Sequence, residues 1–223
     1  MKLVIGSAFR NATGYLTRYF AQVEALRTLM LPWDVRVVAA EGDSKDATRS
    51  ALQQHKDVEL VECRHGGPEF GSTEAPERLA ALSAVGNAIF SAVRKDDDAL
   101  FYVESDLMWE PRTAKQLVLH AMQRSLGFDI FAPFVMAGEA FYDTWGFRRG
   151  GERFSPFPPY HRALGEDPVA RVDSAGSCLT MRGDVARRVR IRNSYGLVGW
   201  CEDARISHGF KIGVVPALRV RQA

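Results

Sequence analysis

The sequence predicts an α/β fold: a mostly parallel central sheet flanked by helices, in a single domain. Three observations carry this. Short apolar runs alternate with stretches of helical periodicity through the first half, the pattern of successive βαβ units. Each apolar run stops abruptly on polar residues. The 223-residue chain is 46% hydrophobic and 25% charged, proportions that allow a sizeable core.

The elements follow in order. Residues 2–5 read as a buried strand stopped by Gly6 and Ser7. Leu16, Tyr19, Phe20, Val23, Leu26 and Leu29 fall at helical spacing, so a helix covers 15–30. Residues 35–39 form a second strand, and Asp43 or Ser44 caps a helix running to Gln54. A short strand covers 58–61, and the Gly- and Pro-rich stretch 65–75 is a loop. A long helix spans 77–94, and a fourth strand spans 99–103. Beyond it, 113–124 read as a helix and 129–134 as a strand. FYDTWGFRRGGERFSPFPPYH, from Phe141, has no period and reads as a long aromatic and Arg-rich loop or lid. Late strands are expected over 172–181 and 212–215.

Composition narrows the function classes. The three cysteines, Cys63, Cys178 and Cys201, lack metal-ligand spacing and suggest no disulfide framework. The longest apolar helical stretch, 79–93, is fenced by Arg78 and Arg94 and contains Asn87, whereas a membrane span needs about 20 apolar residues. A soluble cytoplasmic protein with no membrane partner is expected. Residues 145–223 carry 14 Lys+Arg against 7 Asp+Glu, and such a basic half suggests an anionic partner.

Ligands on parallel sheets bind beyond the carboxyl ends of the strands. That rule gathers Ser7–Asn11, Glu41–Asp43 and Glu104–Asp106 on one rim. In FYVESDLMWEP a core strand runs straight into Glu104, Ser105 and Asp106. Two carboxylates at i and i+2 can share one hard cation, or divide cation and sugar hydroxyl between them. Mg²⁺ and Mn²⁺ are commonly held by one or two carboxylates plus substrate phosphates. Tyr142-Asp143-Thr144-Trp145 offers aromatic faces around an acid, a common way to hold a sugar ring. Arg148 and Arg149 offer forked contacts to phosphate.

This order of strands and loops, with EGDSKD, FYVESDLMWEP and a late WCED, resembles the GT-A (Rossmann-like) glycosyltransferases. Their DxD motif holds a divalent metal beneath a nucleotide-sugar donor. Here ESD stands in that place, with Glu104 for the first acid and Asp106 at the position that usually touches metal. Within that group, the stretch from Arg78 to Asn87 and the FYDTWGFRRGG that follows resemble the Anp1 and cryptococcal mannosyltransferase-like proteins, although Gly86 replaces the Arg of their RN pair. The size and layout also resemble the phage TET-associated DNA glycosyltransferases.

The resemblance implies one domain with a nucleotide-sugar-binding half, 1–111, and an acceptor-binding half, 112–223. It implies donor contacts from Ser7, Arg10, Glu41, Asp43, Arg78, Asn87 and Ser105. Acceptor contacts would come from Tyr142, Asp143, Trp145, Arg148 and Trp200. Trp200-Cys201-Glu202-Asp203 resembles the ED motif, which makes Asp203 or Glu202 the catalytic acid or base. The metal, Mn²⁺ or Mg²⁺, would take Asp106 and Glu104, with His208 completing the shell.

The acceptor implied is a hydroxyl, with hydroxymethylated cytosine in phage DNA as the leading choice and a host-cytoplasm location. The arginines at 182, 187, 188, 190 and 192 would track the DNA backbone, and Trp145, Phe147, Phe154 and Tyr160 would stack on a flipped base. Alternatives are a glycan or lipid acceptor, a sugar nucleotidyltransferase, or a non-catalytic sugar- or nucleic-acid-binding module. The nucleotidyltransferase would want a Gly-rich phosphate loop, of which GSAFRNATG is a poor version.

Overall fold

The structure, a computed structural model, describes residues 1–71, 75–165, 167–192 and 202–223. In chain order the first half runs β1 (Lys2–Phe9), α1 (Leu16–Met30), β2 (Asp34–Glu41), α2 (Thr48–Gln54), β3 (Val58–Glu62), α3 (Pro76–Ser91) and β4 (Ala99–Val103). There follow β5 (Leu107–Met108), α4 (Pro111–Met122), β6 (Ile130–Ala137), β7 (Ala140–Phe141), β8 (Arg148–Arg149) and β9 (Glu152–Arg153). The chain then makes β10 (Ala170–Val172), β11 (Cys178–Arg182), α5 (Gly183–Ala186), α6 (Glu202–His208) and β12 (Ile212–Gln222).

One sheet organises all of this, in the order β10-β12-β6-β11-β4-β1-β2-β3, with β5 on β12 and β7 on β6. The four strands of the first half are parallel. β11 is inserted antiparallel between β4 and β6, while β6 and β12 run parallel to each other.

Period-2 alternation divides the core into two layers. Leu3, Ile5, Phe101 and Val103 face α1 and α4, whose inward residues include Leu16, Tyr19, Val23 and Leu26 on one helix and Leu117 and Val118 on the other. Val4, Leu100 and Tyr102 face the opposite side, toward Ile89 and Phe90 of α3. Strands covered on both faces read as continuous apolar runs, which is why ALFYV is entirely buried. Pro76 and Pro111 stand in the first turns of α3 and α4, where the missing N–H leaves no helical bond unmade.

Three readings are corrected. Neither Asp43 nor Ser44 caps α2, which starts at Thr48: Asp43 has a left-handed φ of 63° and binds a different loop. The aromatic stretch after Phe141 is packed, not a lid. Phe134, Phe141, Phe147, Phe154 and Tyr160 interlock with ring centroids 5.0–6.4 Å apart, geometry that favours edge-to-face aromatic pairs. Phe147 and Phe154 are buried, so those rings are occupied by one another and offer no face to a base. Finally, Arg187 and Arg190, expected to track a DNA backbone, donate to carbonyls of the protein itself beyond α5, which ends at Ala186.

Candidate functional site

The carboxyl ends of β1, β2 and β4 open onto a cavity of about 320 Å³. Ala8, Phe9 and Arg10 reach it from β1, Gly42 and Asp43 from β2, and Glu104, Ser105 and Asp106 from β4. α3 closes one wall with Arg78, Ala81, Leu82 and Val85. Those four sit at i, i+3, i+4 and i+7, one face of a helix. Tyr15, Tyr142, and His65, Glu69 and Phe70 of the loop after β3 add to the lining, with Ala40, Cys63 and Tyr102.

The turn after β4 explains the sequence FYVESDLMWEP. Leu107 N–H donates to the Glu104 carbonyl at 3.1 Å, closing a turn over Ser105 and Asp106. The Ser105 hydroxyl donates to the Ala8 carbonyl at 2.5 Å and ties the turn to the end of β1. Arg18 donates to the Asp106 backbone carbonyl at 3.0 Å. The backbone is therefore held from both sides, and the Glu104 and Asp106 side chains face the cavity.

Glu104 keeps some contact with solvent but is surrounded by protein. Burial, then the charges of Asp106 and Asp143, push its carboxyl up to about 8, while Arg78 and the Ser177 hydroxyl pull the other way. Asp143 is buried beneath, accepts the Gly146 N–H at 3.2 Å, and is pushed up to about 6 by burial against the Ser177 and Gly146 hydrogen bonds. The same acids raise the half-exposed Tyr142 hydroxyl, after burial. Arg78 spans this corner, with its guanidinium carbon 5.9 Å from the centroid of the Trp145 ring.

The structure brings Arg10, Asp43, Arg78, Glu104, Ser105, Asp106 and Tyr142 of the expected residues to this cavity. Others lie elsewhere, for identifiable reasons. Ser7 is fully buried and shares a 2.8 Å hydrogen bond with the Tyr19 hydroxyl. Glu41 is buried and accepts from the Ser44 N–H and from Arg49, both at 3.2 Å. Asn87 holds both backbone groups of Ile191, so it fastens the 187–192 segment. Arg148 lies in the β8–β9 hairpin. His208 is exposed at the end of α6, its ring 5.6 Å from that of Phe210. Trp200 lies outside the described residues, as do the side chains of Glu202 and Asp203 on α6.

Two features escaped the sequence reading. The loop after β3 is strapped across the cavity. Asp43 accepts the N–H groups of His65 and Gly66 at 2.8 and 2.9 Å, and these contacts, His65 first, lower its pKa. Arg10 donates to the carbonyls of Gly67 and Pro68 at 2.9 and 3.2 Å, and Asn11 donates to Glu69. The clue in the sequence was HGGPEFG itself, where Gly66 takes a left-handed φ of 61°. The second feature is Gln222, whose side-chain N–H donates to the Asp106 carboxylate at 2.6 Å across 116 residues of chain.

Among the described residues, no group of three or more His, Cys, Asp or Glu is arranged to hold a metal. The two acids that line the cavity here nevertheless suit a hard cation that draws its remaining ligands from a bound phosphate.

The arginines of the C-terminal part are largely engaged. Arg182 is buried against Asp129 and Asp184. Arg187 donates to the Arg94 carbonyl, Arg190 to the carbonyls of Arg187 and Val189, and Arg188 covers the Phe210 ring.

A mostly parallel, curled sheet with this rim cavity defines the GT-A fold, and solved structures share it. The first 349 residues of TarS from S. aureus superpose with a TM-score of 0.57 at 12% identity, covering 100% of this chain and 60% of that one. The same protein has been solved with UDP-GlcNAc, at a TM-score of 0.55, 13% identity and coverage of 99% and 58%. A mannosyltransferase from Pyrobaculum calidifontis, solved with GDP-Man and Mn²⁺, gives a TM-score of 0.59 at 12% identity, covering 99% of this chain and 56% of that one. At these identities the likeness shows the fold alone, and this chain spans about 60% of the TarS fragment's length. No protein-family model and no curated protein matches the sequence.

Proposed function

We propose that this protein is a nucleotide-sugar-dependent glycosyltransferase whose donor sits in the cavity at the ends of β1, β2 and β4. The observation that carries the reading is the position of Glu104 and Asp106, side by side on a fixed turn that faces Arg10 and Arg78 across the cavity. Acids and guanidinium groups facing one space suit a diphosphate bound together with a divalent cation. Proteins of the same fold have been solved with UDP-GlcNAc and with GDP-Man and Mn²⁺, which supports the donor class.

Glu104 and Asp106 would hold the cation, Mn²⁺ or Mg²⁺, which supplies charge neutralisation for the departing nucleotide. Arg78 reaches the same corner and adds a fixed positive charge. The strap of residues 65–70 walls the donor from water, held there by Arg10, Asn11 and Asp43. Trp200, Glu202 and Asp203 remain our proposal for the acceptor side, with Glu202 or Asp203 as the acid or base.

The acceptor we favour is a glycan or lipid hydroxyl rather than hydroxymethylated cytosine in DNA. Arg182, Arg187 and Arg190 are engaged within the protein, and Phe147 and Phe154 are packed in the core. Exposed Tyr142 and Phe157, 47% and 58% accessible, leave aromatic faces that suit a sugar ring.

The test is a melting-temperature series with UDP, GDP, CMP and ADP, each with Mn²⁺, followed by transfer assays with the sugar donors of whichever nucleotide stabilises the protein. Stabilisation by one nucleotide that needs Mn²⁺ and is lost in Asp106→Asn supports the reading. The absence of stabilisation by any of them defeats it.

A further inference from the structure

The way β11 is inserted sets Ser177 opposite Glu104. β11 pairs antiparallel with β4, with Cys178 against Val103. One step further along both strands lie Ser177 and Glu104, and the Glu104 N–H donates to the Ser177 carbonyl at 2.9 Å. Residues directly opposite in an antiparallel pair send their side chains to the same face. The Ser177 hydroxyl accordingly reaches the Glu104 carboxyl, and it reaches Asp143 as well. The serine itself is buried.

Its backbone is not one that serine prefers. Ser177 has a φ of 32°, a left-handed value that is costly for a residue with a Cβ. The Cys178 N–H folds back to the Gly176 carbonyl, two residues before it, and the positive-φ form of such a three-residue turn is rare and strained. Neighbours hold the turn from two sides. The Glu104 N–H takes its carbonyl. The loop from Asp143 to Gly146 backs onto it so closely that a Cβ on Gly146 would lie 3.1 Å from the Gly176 Cα and 2.7 Å from the Asp143 Oδ1. Ser174 ties that loop down, its hydroxyl donating to the Gly146 carbonyl at 2.6 Å.

Backbone strain persists where its surroundings over-determine it, and it collects at functional sites. A glycine at 177 would remove the strain. What glycine lacks is the hydroxyl, the one donor that this side chain offers to the two acids beside it. We propose that Ser177 is a positioning residue for the cation site: its strained turn fixes the backbone of Glu104, and its hydroxyl orients the Glu104 carboxyl before the cation arrives. This rests on the cation role proposed above for Glu104 and Asp106.

The test compares Ser177→Gly with Ser177→Ala. Both lack the hydroxyl, and of the two only glycine accepts the left-handed backbone freely. Mn²⁺ binding is read as free Mn²⁺ by electron paramagnetic resonance, with UDP and with GDP, beside thermal melts in chelator. Both variants should bind Mn²⁺ about 10–100-fold more weakly than the parent, the usual loss when a group that orients a metal ligand is removed. Ser177→Gly should nevertheless melt about 2–4 °C above Ser177→Ala. Affinity is then lost even in the variant with the relaxed backbone, which a purely structural serine would not produce.

If Ser177→Gly binds Mn²⁺ like the parent while Asp106→Asn does not, the inference fails and the cation reading stands. If Ser177→Ala alone loses affinity, in step with its lower melting temperature, the serine serves the fold only and the inference fails again. If the parent binds no Mn²⁺ with either nucleotide, the cation reading falls and this inference falls with it.

Discussion

Replacing Glu104 by Gln isolates the electrostatic load carried by the acidic corner. The carboxyl ordinarily titrates near 4.5 and is pushed up to about 8 in the folded protein, by burial first and by Asp106 and Asp143 next. An acid whose folded-state pKa lies above its unfolded one keeps a proton on folding that the unfolded chain has lost. Its contribution to stability is intact below about pH 4.5, declines as pH rises toward about 8, and is constant beyond. At 1.36 kcal/mol per pH unit the ceiling is about 5 kcal/mol. Glu104 retains some solvent contact, and screening lowers this to about 2–4 kcal/mol. Glutamine has the same shape and no charge, so it escapes the loss. The metal-free Glu104→Gln variant should match the parent near pH 4.5 and melt roughly 5–15 °C higher at pH 8.5. Calorimetric melts of both proteins across that range, in chelator, make the comparison. Mn²⁺ should then narrow the gap at pH 8.5 by stabilising the parent more than the variant, which offers the cation one carboxylate fewer. Parallel melting curves at every pH would refute the claim that burial and neighbouring acids hold Glu104 protonated.

Other outcomes follow from the same geometry. Asp106→Asn should fold with little change in melting temperature yet lose Mn²⁺-dependent stabilisation by nucleotide, which reaches about 2.7 kcal/mol in the parent at a hundredfold excess over Kd. Arg78→Met removes the charge that pulls the Glu104 pKa down, so the pH at which the Glu104→Gln comparison levels off should move higher, as the same melts would show. Asp97 is 4% exposed and accepts from Arg36 and the Arg94 N–H at 2.5–3.2 Å; Arg36 keeps Glu59 and the Ala92 carbonyl, so Asp97→Ala should cost about 1–3 kcal/mol in urea unfolding, for the acceptor lost to the Arg94 N–H and to Arg36. A Cβ on Gly42 would lie 1.6 Å from the Cys63 carbonyl oxygen, so Gly42→Ala should destabilise by about 1–3 kcal/mol and open the cavity wall, measured as lower stability and weaker nucleotide stabilisation together.

Much of the sheet was legible in the sequence because its strands are buried on both faces and end sharply. VVAAEGD and ALFYVESD announce both the strand and the rim. The helix periods were equally plain, apart from the start of α2, where Asp43 and Ser44 looked like caps but bind residues distant in sequence. The aromatic stretch misled because its rings pack on one another through irregular backbone, and irregular packing leaves no period to read. Roles were harder to read than positions. Ser7, Glu41 and Asn87 have the polarity of site residues, yet each satisfies a buried partner, and only three-dimensional contacts separate the two uses. The contacts of Gln222 and of the His65–Phe70 strap could not be read for the same reason: their partners lie far away along the chain.

The insertion of β11 between β4 and β6 bears on how this enzyme candidate may be dissected. A fragment ending near residue 111 would leave the ALFYV strand with an open edge, a template for pairing with other chains. It would also lack the Ser177 carbonyl that receives the Glu104 N–H. We therefore expect such a fragment to aggregate rather than bind nucleotide, and swapping acceptor specificity by exchanging whole halves between relatives to fail. Grafts confined to surface segments that leave β11 and β12 in register are the workable route to re-engineering it.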